Sequence, residues 1–91
     1  MKIAHVIGTA TATAKDARLV GGKLLVADIV DGAGKVLEPA CVAVDTVGAG
    51  VGDTVLLTTG SAARLPEQTI GAPVDAAIIA VIDRVSLTKK S

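Results

Sequence analysis

The chain has 91 residues and no net charge, because nine Lys and Arg residues balance nine Asp and Glu residues. It is 51% hydrophobic, yet it contains no Phe, Tyr or Trp. Nucleic-acid binding relies on clustered basic side chains, and single-strand binding also relies on aromatic ones. This composition therefore speaks against a nucleic-acid partner.

The length predicts a single domain over residues 1–91. A chain of this size buries only about 60–65% of its unfolded surface, so it is marginally stable alone. Its core must be built from Val, Ile, Leu and Ala, and small aliphatic side chains bury little area each. The sequence therefore predicts that further surface is buried by self-association.

The sequence also predicts a cytoplasmic protein with no membrane partner. Residues 1–6 lack the long apolar stretch of a signal peptide. No apolar run approaches the roughly 20 residues that a membrane helix needs. The single cysteine, Cys41, cannot form an internal disulfide, which is typical of the reducing cytosol, and its apolar surroundings in the sequence predict a small buried side chain.

In chain order, β-branched residues predict a first strand over residues 3–13, and Gly8 predicts a bulge or bend within it. Residues 15–18 are polar and predict a loop or a strand end. After a Gly-Gly pair, residues 23–30 read as a second strand. Residues 31–34 then predict a hairpin turn, in which the Asp-Gly pair would supply the positive φ of a tight turn.

Pro39 predicts the start of a third strand over residues 40–44, where a missing N–H is tolerated. A glycine-rich loop follows, and residues 54–59 read as the fourth strand. Gly60 ends that strand, and the next four residues predict one helical turn with Ser61 as its N-cap.

The rest of the chain predicts a loop over residues 66–73 and a last strand over residues 74–85. The apolar centre of this strand could also form a buried helix, but its Ile and Val residues favour a strand. Both faces of this strand must be covered, one by the core and the other by a neighbouring subunit, and residues 88–91 form a polar tail. Five short strands with glycine bends and one small helix predict an all-β fold, a five-stranded OB-like barrel.

The glycine loop contains Gly48, Gly50 and Gly52 at every second position, after Asp45. Glycine tolerates positive φ and lets another backbone approach closely, so the spacing predicts a specific tight loop. Dinucleotide binding requires G-x-G-x-x-G at the start of a helix, whereas this run precedes a strand. No nucleotide or other cofactor is predicted.

Catalytic or metal-binding groups are sparse. His5 is the only histidine and has no partners at metal-ligand spacing. A Ser61–His5–Asp triad is conceivable, but no nucleophile elbow surrounds Ser61. Arg64 could satisfy carbonyls at the end of its helical turn or make an interface contact. The aspartates at strand ends are read as turn formers or ion-pair partners; they are Asp45, Asp75 and Asp83.

Three motifs in order carry a family resemblance: Asp-Thr-Val-Gly-Ala-Gly at residues 45–50, Gly-Ser-Ala-Ala-Arg at residues 60–64, and Pro-Val-Asp-Ala-Ala at residues 73–77, leading into Val-Ile-Asp at residues 81–83. Residues 6–9 and 22–26 give weaker support. Over nearly its whole length the chain resembles the EutN/CcmL family, the pentameric vertex proteins of bacterial microcompartment shells.

The resemblance implies an OB-like barrel that assembles into a homopentamer. Such a ring closes a vertex of a carboxysome- or metabolosome-type shell, whose faces are tiled by hexameric shell proteins of another fold. It implies no catalytic residue, metal or cofactor. The family often has two serines where this chain has Ser61 and Ala62, so the second hydroxyl is absent.

Structural and interface candidates follow from the motifs and the loop; they are Asp45, Gly48, Gly50, Gly52, Gly60, Ser61, Arg64 and Asp75. The alternative from another class is a small OB-type module that binds nucleic acid or a small ligand. A third hypothesis, a small hydrolase, depends only on Ser61 and His5.

Overall fold

The structure, a computed structural model, describes residues 1–11, 23–64 and 75–88. They form five strands and one short 3-10 helix, Gly60–Arg64, between the last two strands. The strands are β1 (Lys2–Ala10), β2 (Lys23–Val30), β3 (Val36–Asp45), β4 (Thr54–Thr59) and β5 (Ala76–Val81). Among the described residues, no helix is both long and apolar enough to cross a membrane.

The strands close into a barrel in the order β1, β2, β3, β5, β4, and β4 pairs back with β1. Every neighbouring pair is antiparallel except β3 with β5, which are parallel. That parallel ladder is the shortest in the described barrel, with only two register pairs, Val44 with Ala77 and Asp45 with Ile78. The predicted OB-like barrel is confirmed.

The barrel interior is aliphatic, as the composition requires. Inward positions alternate with outward ones along β1 and β2, so each strand contributes one face to the core. The largest fully buried side chains are Leu25, Leu57, Ile78 and Val55. Small residues such as Ala4 and Ala27 fill the remaining interior positions.

A bulge lies in β1 where Gly8 predicted one. The pairing of β1 with β2 shifts between Val6 and Gly8, which leaves Ile7 as the extra residue. A bulge re-aims the side chains beside it. The Ile7 side chain is accordingly exposed on the outside of the barrel.

The third strand departs from its predicted start. It begins at Val36 rather than after Pro39, so the proline lies inside β3. The pairing with β2 shifts between Glu38 and Cys41, so Pro39 lies within an irregularity, where a residue lacking an N–H can be accommodated. Ala40 has a φ of 55°, and its N–H donates to Asp28 Oδ1 at 3.0 Å. A cross-strand carboxylate therefore holds a conformation that alanine rarely adopts.

The predicted turn between β2 and β3 is present, but its positive φ lies elsewhere. Asp31 Oδ1 accepts hydrogen bonds from the N–H groups of Ala33 and Lys35, both at 2.9 Å. Gly34, rather than Gly32, has the positive φ, 91°. The aspartate side chain thus organises the turn, and Gly34 returns the chain to β3.

The last strand is shorter than predicted, Ala76–Val81. Beyond it the N–H of Ile82 donates to the carbonyl of Thr54, and the chain continues without regular structure to residue 88. Leu87 lies against Gly32, where an added Cβ would be 2.9 Å from Leu87 Cδ2. The predicted loops at residues 15–18 and 66–73, and the tail after residue 88, lie outside the described residues.

Candidate assembly surfaces

The glycine loop between β3 and β4 is anchored where it begins. The Asp45 side chain is only 2% exposed, and its Oδ1 accepts a hydrogen bond from the Val47 N–H at 3.1 Å. Lys23 Nζ lies 3.9 Å from Asp45 Oδ2 and donates to the Ala49 carbonyl at 2.8 Å. Ala49 is buried in the core. The loop is therefore folded over one end of the barrel rather than projecting as a free connector.

Thr46 connects the same loop to β5, next to the parallel pairing of β3 with β5. Its Oγ1 donates to the Ile78 carbonyl at 2.7 Å, and its backbone N–H reaches the same oxygen at 3.2 Å. The start of the loop is thus fixed to β5 as well as to β2.

The end of the loop is a tight turn over residues 50–53. The Asp53 N–H donates to the Gly50 carbonyl at 3.0 Å, and the Gly50 N–H donates to Asp53 Oδ2 at 2.8 Å. Gly52, the third residue of the turn, has a φ of 95°. Its N–H donates to the Val6 carbonyl, and the Val6 N–H donates to the Asp53 carbonyl. Two loop residues thus oppose one residue of β1, the pattern of a glycine-containing bulge.

The three loop glycines are not equivalent. Gly48 and Gly52 have positive φ, 79° and 95°, whereas Gly50 does not. Among the residues that the structure describes, an added Cβ at any of the three would meet nothing within 4 Å. Backbone conformation therefore requires glycine at two of the positions, and the described part of the chain brings no other backbone close to these added Cβ positions.

The 3-10 helix brings two of the predicted residues together. Gly60 has a φ of 66°, and its N–H donates to the Asp75 carbonyl at 2.8 Å. The helix already begins at Gly60, so the prediction that Ser61 is its N-cap is wrong, and Ser61 lies inside the helix on the surface. Arg64 is the last helical residue, and its side chain lies outside the described part of the chain.

The structure does not bring His5 and Ser61 together. His5 pairs with Thr54 at the start of β4, and Ser61 follows the other end of that strand. Five strand steps of about 3.3 Å separate those ends by roughly 16 Å, far beyond a hydrogen bond. Among the described residues there is also no group of three or more His, Cys, Asp or Glu that could hold a metal ion.

Cys41 is half-buried at the edge of the core rather than fully buried. Burial is the main cause that raises the pKa of its thiol, and the nearby Glu38 and Asp75 carboxylates act in the same direction against Lys2. Because the thiolate is the reactive form, these surroundings make Cys41 a poor nucleophile.

Large aliphatic side chains are exposed at positions that the sequence did not single out. On the outside of the barrel, Ile7 is the extra residue of the bulge in β1, and Val51 occupies the tip of the turn over residues 50–53. At another place, Met1 and Leu37 border an apolar groove of about 530 Å³. Leu37 is the extra residue where the pairing of β3 with β2 shifts between Val36 and Glu38. The bulge beside Gly8 was predicted, but nothing in the sequence marked the bulge at Leu37, and the outward direction of these side chains was not predicted.

A small aliphatic barrel with a hydrogen-bonded glycine loop and exposed apolar surfaces has the features of a structural protein that buries surface by assembly. The family described as "Ethanolamine utilisation protein EutN/carboxysome" (EutN_CcmL) matches residues 1–83. The chain therefore belongs to the EutN/CcmL family.

Named relatives match over nearly the full length. The chain is 46% identical over 91 residues to the "Carboxysome shell vertex protein CcmL" of Synechococcus elongatus, covering 100% of this chain and 92% of the relative. It is 38% identical over 85 residues to the "Bacterial microcompartment shell vertex protein EutN" of Salmonella typhimurium, covering 93% and 86%. Among solved structures, the "GrpN pentameric microcompartment shell protein from Rhodospirillum rubrum" is 36% identical with a TM-score of 0.86, covering 98% and 100%.

Proposed function

We propose that this chain is a vertex protein of a bacterial microcompartment shell, located in the cytoplasm as part of that shell. The observation that carries the proposal is the full-length match to relatives named as shell vertex proteins, 46% identical in one case. Residues 1–91 would act as one vertex domain, with no catalytic role and no cofactor. The proposal includes no nucleic-acid or membrane partner.

Five copies would form the functional unit. A solved relative of the same fold is named a pentameric shell protein. A five-fold ring uses a heterologous contact, in which one surface of a subunit meets a different surface of the next, and the rotation closes the ring. The small aliphatic core supports this assembly, because a ring contact buries apolar surface that a single subunit leaves exposed.

The ring would meet hexameric shell proteins along its sides. The 3-10 helix Gly60–Arg64 is the candidate contact. Gly60 bears no Cβ, and Ser61 and Ala62 are exposed beside it, so a partner could reach the backbone there. Single polar contacts contribute only about 0.5–1.5 kcal/mol each, but repetition around five edges would make them act together.

Native mass spectrometry of the purified protein is expected to give five times the mass of the 9.0 kDa chain. Co-expression with hexameric shell proteins should then give closed polyhedral particles, whereas omission of this chain should leave vertices open in electron micrographs. A stable folded monomer at micromolar concentration would contradict the ring. Complete shells with occupied vertices in its absence, with no paralogue present, would contradict the vertex function.

Arg64→Ala is expected to leave the isolated ring intact and to lower its incorporation into shells several-fold, because Arg presents five donors in a rigid fork. The measurement is the pentamer content of purified particles. Arg84→Ala is the matched control, since Arg84 is an exposed arginine after β5 and outside the 3-10 helix. Loss of the ring itself would place Arg64 inside the pentamer, and normal incorporation would remove it from the hexamer contact.

A further inference from the structure

We propose that the contact between neighbouring subunits of the ring seats the Val51 turn of one copy in the Leu37 groove of the next. The Val51 turn is residues 50–53 together with the adjacent Ile7, and the Leu37 groove is the apolar groove bordered by Met1 and Leu37. This inference rests on the proposed pentamer and names the two surfaces that would form it.

The Val51 turn presents a fixed aliphatic knob. The Val51 side chain is 65% exposed and that of Ile7 is 51% exposed. The two residues are neighbours, because the Gly52 N–H donates to the Val6 carbonyl at 3.0 Å. Two hydrogen bonds between Gly50 and Asp53 hold the turn. Little conformational entropy is therefore lost when this surface is buried.

The Leu37 groove is an apolar receptor with a charged rim. It has a volume of about 530 Å³, and its apolar lining is Met1, Ile3, Ile29, Val30 and Leu37. Leu37 is 62% exposed and Met1 is 81% exposed. Lys2 and Glu38, whose side chains lie 4.0 Å apart, complete the lining. Their charges offset each other, so an uncharged aliphatic side chain fits this groove better than a charged one.

The positions of the two surfaces match the geometry of a ring. They lie toward opposite ends of β1, since Lys2 belongs to the groove and Ile7 to the knob. Five strand steps at about 3.3 Å place them roughly 16 Å apart. A subunit in a closed ring must present two different surfaces to two neighbours. One copy cannot bring its own knob to its own groove, whereas successive copies can.

The occupant of the groove is assigned to a second copy of this chain. The Val51 turn is aliphatic and the lining of the groove is mainly aliphatic, so the two surfaces are chemically complementary, and both belong to the chain that the proposed ring repeats five times.

Chemical cross-linking tests this pairing directly. Cys41→Ser removes the only native thiol and provides the background. In that background, Val51→Cys and Leu37→Cys are combined and the protein is treated with a short bismaleimide. A ladder of covalent species up to five chains is expected on a denaturing gel. Each variant with only one cysteine should give only the band of the single chain, because equivalent positions of neighbouring subunits do not meet in the ring.

The control uses Leu87→Cys in place of Leu37→Cys, because Leu87 is similarly exposed, 66% against 62%, but lies outside both surfaces. It should give no ladder. The native mass of each variant is measured first. If the Cys41→Ser protein is a monomer, that result contradicts the proposed pentamer itself. An intact pentamer that gives no ladder with the Val51 and Leu37 pair, or an equal ladder with the Leu87 control, would overturn the pairing and leave the pentamer standing.

Discussion

Replacing Leu57 with alanine is expected to lower the free energy of unfolding by about 2–5 kcal/mol. Leu57 is fully buried in β4, where it pairs with Lys2 of β1 and with Ile78 of β5. The cost of such a truncation depends on how far the surroundings can collapse into the cavity. The core side chains that surround Leu57 are Ala, Val, Leu and Ile residues of a closed sheet, so the cavity should remain largely open.

Urea denaturation followed by circular dichroism measures this effect at one fixed chain concentration, because the stability of an oligomer depends on concentration. Leu87→Ala is the matched control, since the Leu87 side chain is 66% exposed and its truncation should change stability by less than about 0.5 kcal/mol. If Leu57→Ala were no more destabilising than Leu87→Ala, the barrel interior would not be packed as described.

Gly52→Val is expected to cost about 1–3 kcal/mol of backbone strain and to weaken assembly with it. The φ of 95° at Gly52 is required both by the turn over residues 50–53 and by the bulge opposite Val6. A β-branched residue at positive φ is a genuine outlier, so the turn must rearrange or the strain must remain.

Gly50→Val is the matched control, because it adds the same side chain two residues away at a position without positive φ. A Cβ at either glycine meets nothing within 4 Å in the described parts of the chain, so crowding by those residues does not distinguish the two variants. Thermal unfolding and native mass should therefore separate them. Equal melting temperatures and equal pentamer yields would mean that the loop is an ordinary flexible connector.

The bounds of a strand could be predicted where residues with a strong preference for turns lie directly next to it. The predicted bounds of β2 and β4 are confirmed, because an Asp-Gly turn ends one and a glycine ends the other. The start of β3 was not predictable in the same way. Pro39 is tolerated within that strand only because the pairing shifts there, and Asp28 across the sheet holds Ala40 at positive φ.

The glycine loop at the candidate site was likewise only partly predictable from the sequence. Spacing alone cannot distinguish Gly50 from Gly48 and Gly52, although only the latter two have positive φ. The exposed Val51 and Leu37 side chains depend on a turn and on a bulge, which are set by cross-strand hydrogen bonds rather than by local sequence. Motif resemblance therefore identified the family, and the structure was needed to find the exposed surfaces.

The two-residue parallel ladder between β3 and β5 has a consequence for motion. A barrel opens most readily at its least extensive pairing, and local opening occurs in cooperative units rather than residue by residue. Thr46 of the glycine loop is hydrogen-bonded to Ile78 directly beside that ladder. The glycine loop and the pairing of β3 with β5 should therefore open together on the timescale of hydrogen exchange. A partner that makes the loop more rigid would then also reduce the opening of the barrel.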